Sequence, residues 1–148
     1  MINWIYLTVA LPLLGFLING LLGSRIKNEK IIGIIGSGAV GIPFLISLFS
    51  LFELIALPPD ERNVTVSLFN WLSVGWLNVN FAYRVDQLSI VMALIVTGVG
   101  FIIHIYSIGY MHGDKGFWRF FAYLNLFIFA MMNLVLADNF LLLFLGWE

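Results

Sequence analysis

Residues Ile2–Leu22 read INWIYLTVALPLLGFLINGLL and contain no charged side chain. About 20 apolar residues in helical form cross the hydrocarbon core of a bilayer, so this stretch predicts a membrane-spanning helix. A secretory signal peptide is the poorer interpretation, because no basic segment precedes the stretch and it is too long for a signal core. Further apolar runs follow at residues 31–57, 88–110 and 117–137. Together they predict an all-α integral membrane protein with four transmembrane helices.

The composition of the whole chain agrees with this fold class. Of 148 residues, 61% are hydrophobic and only 10% are charged, with a net charge of -1 and a mean hydropathy of +1.02. An ordinary soluble domain has about 25% charged residues. Nucleic acid is excluded as a partner, because no basic patch could neutralise its phosphates. Because the chain has no cysteine and only two histidines, we expect no disulfide, iron–sulfur cluster or metal site.

The longest connection, residues 58–86, has the pattern of a β-hairpin. Apolar and polar residues alternate at 64–68 and again at 77–81, which predicts two short strands. A turn around Ser73-Val74-Gly75 would join them at the membrane surface. We therefore expect three regions: helices 1 and 2 in residues 1–57, an outward-facing hairpin in 58–86, and the remaining helices in 87–148.

A fifth helix is predicted from Asn139 onward, with Asp138 as its cap. Only its first half would be present, so we expect the chain to be an N-terminal piece of a longer protein. Ten residues at 1.5 Å each reach about 15 Å, which is half of a roughly 30 Å hydrocarbon core. Glu148 would then lie near the bilayer midplane, where an ionised carboxylate costs at least a few kcal/mol unless it is paired or hydrated. Glu148 is therefore the main candidate for proton translocation; the alternative is an interfacial glutamate that reaches toward water.

His104 is the second ionisable candidate inside a predicted span. Histidine titrates near neutral pH, so this side chain could relay protons. The alternative is a neutral histidine that hydrogen-bonds a neighbouring helix. Asp86 is interpreted as a first-turn acid favoured by the helix dipole. The aromatic residues at 117–123 are interpreted as an interfacial belt.

Two further patterns concern orientation and packing. Gly33, Ser37 and Gly41 recur every four residues, which places small side chains on one helix face where a neighbour can approach closely. The loops after the first and third helices hold most of the basic residues, and such loops face the cytoplasm. We thus predict that the N-terminus and the hairpin face outward. The basic residues predicted to face the cytoplasm are Arg25, Lys27, Lys30, Lys115 and Arg119, and those predicted to face outward are Arg62 and Arg84.

Several motifs occur in an order that resembles one family of membrane proteins. They are Trp71-Leu72-Ser73-Val74-Gly75, Val85-Asp86-Gln87-Leu88-Ser89, Val96-Thr97-Gly98-Val99-Gly100-Phe101, Arg119-Phe120-Phe121-Ala122-Tyr123, Leu136-Ala137-Asp138-Asn139 and Leu145-Gly146-Trp147-Glu148. The chain resembles the N-terminal part of the subunit L family of proton-pumping NADH–quinone oxidoreductase, respiratory complex I (subunit 5 in mitochondria). These proteins are antiporter-like subunits of the membrane arm.

The resemblance implies a role for Glu148 in proton translocation, in which it pairs with a lysine on a later helix. His104 also fits the family pattern. The implied partners are other membrane-arm subunits and the lipid bilayer. The resemblance further implies that NADH, FMN, iron–sulfur clusters and quinone are bound by other subunits, with no cofactor and no redox chemistry in this chain. The implied location is the bacterial inner membrane, with the mitochondrial inner membrane as the alternative.

Two other functions remain open at this point. A subunit of an Mrp-type sodium/proton antiporter would share the architecture and the membrane glutamate. A different class of function is an inert membrane fragment or a scaffold that transports nothing.

Overall fold

The structure is a computed structural model that describes residues 2–26 and 28–148, so Lys27, one of the basic residues used to predict orientation, lies outside the described residues. A short 3₁₀ turn leads into the first helix, and a second one precedes the hairpin. The helices are α1 (Leu7–Leu22), α2 (Glu29–Ala56), α3 (Gln87–Tyr110), α4 (Phe117–Leu136) and α5 (Phe140–Trp147), and the strands are β1 (Asn63–Val74) and β2 (Leu77–Asp86).

Among the described residues, four helical segments are long and apolar enough to cross a membrane, which confirms the predicted spans. The second of them begins at Glu29 rather than at residue 31. The cause is local, because the Asn28 side chain caps the helix by accepting a hydrogen bond from the Lys30 N–H at 3.0 Å. The same helix ends at Ala56, just before Pro58-Pro59, whose rings cannot continue it. The membrane segments are Ile2–Leu22, Glu29–Ala56, Gln87–Tyr110 and Phe117–Leu136.

Helix α4 lies at the centre of the bundle and packs against α1, α2, α3 and α5. Helix α2 packs against α3 through the small-residue face that the sequence predicted. A Cβ on Gly33 would lie 3.0 Å from Ile108, and one on Gly41 would lie 2.8 Å from Phe101. Glycine at these two positions therefore lets the helices approach closely, so the packing prediction is confirmed.

The bundle has two distinct ends. At the loop end, the Glu29 carboxylate lies 2.7 Å from His112 Nδ1 and accepts a hydrogen bond from the Gly113 N–H at 3.1 Å. This contact joins the first and third loops. At the hairpin end, the Ile2 N–H donates to Glu53 at 2.8 Å, which ties the start of the chain to the last turns of α2.

The hairpin is longer than the sequence pattern predicted. Its strands pair antiparallel from Asn63↔Asp86 to Val74↔Leu77, with two register shifts, and the turn lies at Gly75 and Trp76. Gly75 has a φ of 60°, a conformation that favours glycine. Strand β2 packs on the helices, whereas most of β1 is exposed. The consecutive apolar residues Leu68-Phe69 and Phe81-Ala82 end the simple alternation early, which explains why the predicted strands were too short.

Two apolar clusters hold the bundle together. The larger one joins the hairpin to the helices and includes Leu54, Val85, Ile90, Leu136 and Leu142. The smaller one lies near the loop end and consists of Ile32, Phe117 and Phe121 with partly buried neighbours. The interpretation of residues 117–123 as an interfacial belt is therefore wrong for Phe117 and Phe121, which stack in the core with ring centroids 4.8 Å apart.

Candidate functional site

Three buried polar side chains and one glycine, each from a different helix, lie in the half of the bundle nearer the loop end. Asn19 comes from α1, Gly36 from α2, His104 from α3 and Asn125 from α4; we call this set the polar cluster. The side chains of Asn19 and Asn125 are 0% exposed and that of His104 is 1% exposed. Burying polar groups in an apolar bundle is costly unless they find hydrogen-bond partners. The partners of each group therefore decide what the cluster can do.

His104 uses one ring nitrogen within its own helix. Its Nδ1 lies 2.7 Å from the Gly100 carbonyl oxygen, which can only accept, so Nδ1 carries the hydrogen. In the neutral ring Nε2 then presents a lone pair, and no described residue donates a hydrogen bond to it. The imidazole ring packs edge-on against Phe121, with the two ring centroids 5.9 Å apart. The Asn125 side chain is close enough to interact with the same ring. The expectation that His104 hydrogen-bonds a neighbouring helix is thus wrong for Nδ1, because this nitrogen bonds the Gly100 carbonyl one turn earlier in its own helix.

In each asparagine of the cluster, the amide nitrogen is hydrogen-bonded but the amide oxygen is not. Asn125 donates from Nδ2 to the Phe121 carbonyl at 3.0 Å, and Asn19 donates from Nδ2 to the Ile32 carbonyl at 3.4 Å. Neither Oδ1 has a hydrogen-bond partner among the described residues. The cluster therefore presents three buried acceptor atoms: two amide oxygens and one imidazole nitrogen.

Because Gly36 has no side chain, both amides and the Phe121 ring can lie against α2 at this point. A Cβ at this position would lie 3.2 Å from Asn125 Nδ2, 3.3 Å from Asn19 Nδ2 and 2.6 Å from a Phe121 ring carbon. Any larger residue would push these groups apart. Gly36 and both asparagines were not predicted from the sequence. The available signal was a lone Asn well inside an apolar helical run, since polar residues at such positions bond between helices.

Helix α5 positions Glu148, and its cap differs from the expected one. Asn139, not Asp138, is the N-cap: its side chain accepts from the Leu142 N–H at 3.0 Å and donates to the Asn80 carbonyl at 2.8 Å. Asp138 instead donates its backbone N–H to the Ala82 carbonyl at 3.2 Å. The middle of strand β2 thus fixes the start of α5, and this leaves Asp138 outside the cap.

Gly146 sets α5 directly on α4. A Cβ on Gly146 would lie 2.7 Å from the Leu134 amide nitrogen and 2.8 Å from the Ala130 carbonyl oxygen, both of which are backbone atoms. This contact is close because glycine has no side chain. Glu148 follows two residues later and is exposed on this chain. Its backbone N–H donates to the Phe144 carbonyl at 3.0 Å, whereas its side chain forms no hydrogen bond or ion pair with another described residue, including His104.

Two other polar contacts fix the hairpin to the bundle. The Tyr83 hydroxyl donates to Asn133 Oδ1 at 2.7 Å, and burial raises the pKa of Tyr83 well above its usual range. Tyr83 is buried. Asp86 is an N-cap rather than a first-turn acid, because its side chain accepts from the Ser89 N–H at 2.8 Å and Ser89 Oγ accepts from the Asp86 N–H. These groups have structural roles.

A metal site has no geometric support in the part of the chain that the structure describes. No group of three or more His, Cys, Asp or Glu side chains there could hold a metal ion. The polar cluster has only one such residue, and Glu148 is alone at the end of α5. Proton exchange is the chemistry that these isolated groups can perform.

The comparisons with known proteins agree on one family. Residues 71–121 match the family model for NADH-Ubiquinone oxidoreductase (complex I), chain 5 N-terminus. NADH-quinone oxidoreductase subunit L from Escherichia coli is 44% identical over 99% of this chain, and the Pseudomonas aeruginosa protein of that name is 40% identical over 99%. The chain is homologous to the N-terminal region of NADH-quinone oxidoreductase subunit L.

Similarity to subunit L extends over only part of those relatives. The chain spans 23% of the length of the Escherichia coli protein and 24% of the Pseudomonas aeruginosa one. The subunit L of Rickettsia conorii is 41% identical over 99% of this chain, and the chain spans 22% of the length of that protein. The family-model match includes His104 and most of the hairpin, whereas Glu148 lies beyond it.

Proposed function

We propose that this chain takes part in proton translocation as a membrane-arm subunit of proton-translocating NADH–quinone oxidoreductase, with Glu148 as the main proton-carrying group. Homology to subunit L supports the complex. The observation that carries the residue assignment is the position of Glu148, which follows the uncharged helix FLLLFLGW. Eight residues at 1.5 Å place it about 12 Å from the start of α5.

The physical argument rests on the cost of charge in hydrocarbon. An ionised carboxylate inside a bilayer is costly, while the protonated form is cheaper. A nearby cation or added hydration reverses that preference. Changes in pairing or hydration around Glu148 can therefore make it bind and release a proton. The close contact of Gly146 with α4 supports this role, because it fixes the height of the carboxyl group in the membrane.

His104 is proposed as a second proton-carrying group. Its Nε2 is free to accept a proton while Nδ1 stays bonded to Gly100. Electron transfer would occur elsewhere: NADH, FMN, iron–sulfur clusters and quinone would be bound by other subunits of the complex. The partners are then the other membrane-arm subunits and lipid. The chain would reside in a bacterial inner membrane with its hairpin end outward, as the excess of basic residues at the loop end supports.

The test is Glu148→Gln in the assembled complex reconstituted in vesicles. Glutamine keeps the size and polarity but cannot carry the proton, so we expect most of the proton pumping to be lost while the complex still assembles. The matched control is Glu61→Gln, which changes an exposed carboxyl group near the hairpin. Pumping equal to that of the unchanged complex would contradict the assignment.

The same preparation separates the competing functions. Under the present proposal, pumping is driven by NADH and does not change when sodium is replaced by another monovalent cation. Sodium-dependent proton movement without NADH would instead indicate an antiporter of the Mrp type. If the complex pumps at the normal rate after this chain is deleted, the chain is an inert fragment or scaffold.

A further inference from the structure

We propose that a groove between α1 and α4 binds one anionic phospholipid from the leaflet at the loop end, with its phosphate on Arg119 and an acyl chain beside Gly20. The groove has a volume of about 240 Å³. Its walls are the last turns of α1 and the first turns of α4, so it lies near the loop end of the bundle. Neither Glu148 nor His104 lines it, so the site is independent of the function proposed for those residues.

The groove exists because small residues form its floor. Gly20 on α1 lies against Ala122 on α4, and a Cβ on Gly20 would be 3.8 Å from the Ala122 Cβ. Larger side chains also line the groove and remain open to the outside, since Leu17 is 40% exposed and Tyr123 is 65% exposed. The lining follows α1 from residue 16 to residue 21, a distance of about 8 Å. A hydrocarbon chain parallel to the helices fits an open apolar slot of this kind.

Arg119 is the one charged side chain among the described residues that line the groove. It is exposed, and its guanidinium carbon lies 5.5 Å from the centroid of the Trp118 ring, a cation–π contact beside the groove. It forms no ion pair with a described carboxylate. Arg119 also lies in the first turn of α4, where the helix dipole favours an anion over a cation. A phosphate would accept two hydrogen bonds from the guanidinium and supply the missing negative charge.

The charge at the loop end fits an anionic lipid. Two acidic side chains lie at this end of the described chain, and both already have partners. Glu29 contacts His112 at 2.7 Å, and Asp114 accepts a hydrogen bond at 2.6 Å from the backbone of the next loop residues. Clusters of basic residues beside a membrane helix attract anionic lipid. The described basic residues of this end are Arg25, Lys30, Lys115 and Arg119. An apolar helix of a protein partner would cover the groove but leave Arg119 without a counter-charge, so a lipid fits better.

The first test is a density map of the assembled complex in nanodiscs that contain equal parts of phosphatidylglycerol and phosphatidylcholine. We expect headgroup density within hydrogen-bond distance of the Arg119 guanidinium and tail density beside Gly20. A protein helix in the groove would overturn the proposal. So would a groove without ordered lipid.

Photolabelling tests the contact with the headgroup. Phosphatidylglycerol with a photoreactive acyl chain is added to the complex, and the labelled peptides are found by mass spectrometry. We expect labels at residues 16–21 and 118–123. Arg119→Gln should lower this labelling about fivefold, the effect of one basic residue at a membrane surface. The control Arg25→Gln removes a charge from the same end outside the groove and should leave the labelling unchanged. Equal labelling in the two variants would contradict the phosphate contact.

A second comparison tests the slot and its choice of lipid. Gly20→Leu should fill the groove and abolish the labelling, and the complex should still assemble because the nearest atoms to a Cβ there are 3.8 Å away. Unchanged labelling in Gly20→Leu would place the lipid elsewhere and overturn the site. A phosphatidylcholine probe should label the parent groove more weakly than phosphatidylglycerol does, and equal labelling by the two probes would contradict an anionic ligand. None of these measurements uses proton pumping, so their failure leaves the Glu148 assignment untouched.

Discussion

Tyr83 and Asn133 are joined by one buried hydrogen bond that ties the hairpin to α4. Tyr83→Phe removes the donor and leaves Asn133 Oδ1 buried without it. We expect a loss of about 1–3 kcal/mol in the free energy of unfolding, the usual cost of an unsatisfied buried group. Thermal unfolding of the complex in detergent would measure it. The double variant Tyr83→Phe/Asn133→Leu should recover part of the loss, and a single variant as stable as the parent would contradict the account.

The same residue gives a pH dependence with a definite sign. Burial raises the pKa of Tyr83 above its usual value of 10.0, so the folded chain keeps the hydroxyl protonated while the unfolded chain ionises it. This contribution is fully present below pH 10 and declines as the pH rises further. Above pH 10 the parent should therefore lose stability more steeply than Tyr83→Phe. If the melting temperatures of the parent and of Tyr83→Phe fall in parallel above pH 10, burial does not raise the pKa of Tyr83.

Single polar residues were the least predictable part of the candidate site. Glu148 and His104 were proposed from sequence because an ionisable group inside an apolar run is rare. Asn19, Asn125 and Gly36 were not found, since neutral amides and glycine occur in many membrane helices. Their significance lies in a meeting of four helices, which depends on long-range packing and not on local spacing.

At the scale of elements, the α4–α5 contact depends on one glycine. Gly146→Ala would place a Cβ against backbone atoms of α4, which cannot move as a side chain can. We expect a destabilisation of about 1–3 kcal/mol from overpacking, with weaker pumping because Glu148 is displaced. The matched control is Gly38→Ala, since a Cβ there meets nothing within 4 Å. Comparable melting temperatures for the two variants would contradict the close contact.

The start of α5 offers a second comparison within one element. Asn139→Ala removes the N-cap and the bond to the Asn80 carbonyl, and should cost about 1 kcal/mol or somewhat more. Asp138→Ala should cost much less, because its side chain takes no part in the cap. Unfolding curves of the two variants show which of the two residues caps α5. A larger loss in Asp138→Ala would restore the cap predicted from sequence.

The elements themselves were predictable to different degrees. The long helices followed from uninterrupted apolar runs, and the α2–α3 contact followed from the spacing of Gly33, Ser37 and Gly41. The hairpin was predicted, but its full length was not, because register shifts and consecutive apolar residues interrupt the alternation. The choice of Asn139 over Asp138 depends on Asn80 in another element. Such pairings cannot be derived from local sequence.

For the whole molecule, polar contacts gather at both ends and the polar cluster lies between them. The loop end is closed by Glu29 with His112 and Gly113, and the hairpin end by the strand β2 contacts to α4 and α5. Apolar side chains cover most of the outer surface between these ends. This distribution fits a bundle surrounded by lipid or by other membrane subunits, with solvent at its two ends.

The most direct test asks whether the side chain of residue 148 lies within the membrane. Because the chain has no cysteine, single cysteines can be introduced without a background thiol from this subunit. Glu148→Cys would be compared with Trp76→Cys at the exposed hairpin turn and Asp114→Cys at the loop end, each in the assembled complex in sealed membranes. A bulky membrane-impermeant maleimide should label position 76 from one side, position 114 from the other, and position 148 from neither. Labelling of position 148 as fast as either reference would contradict the account.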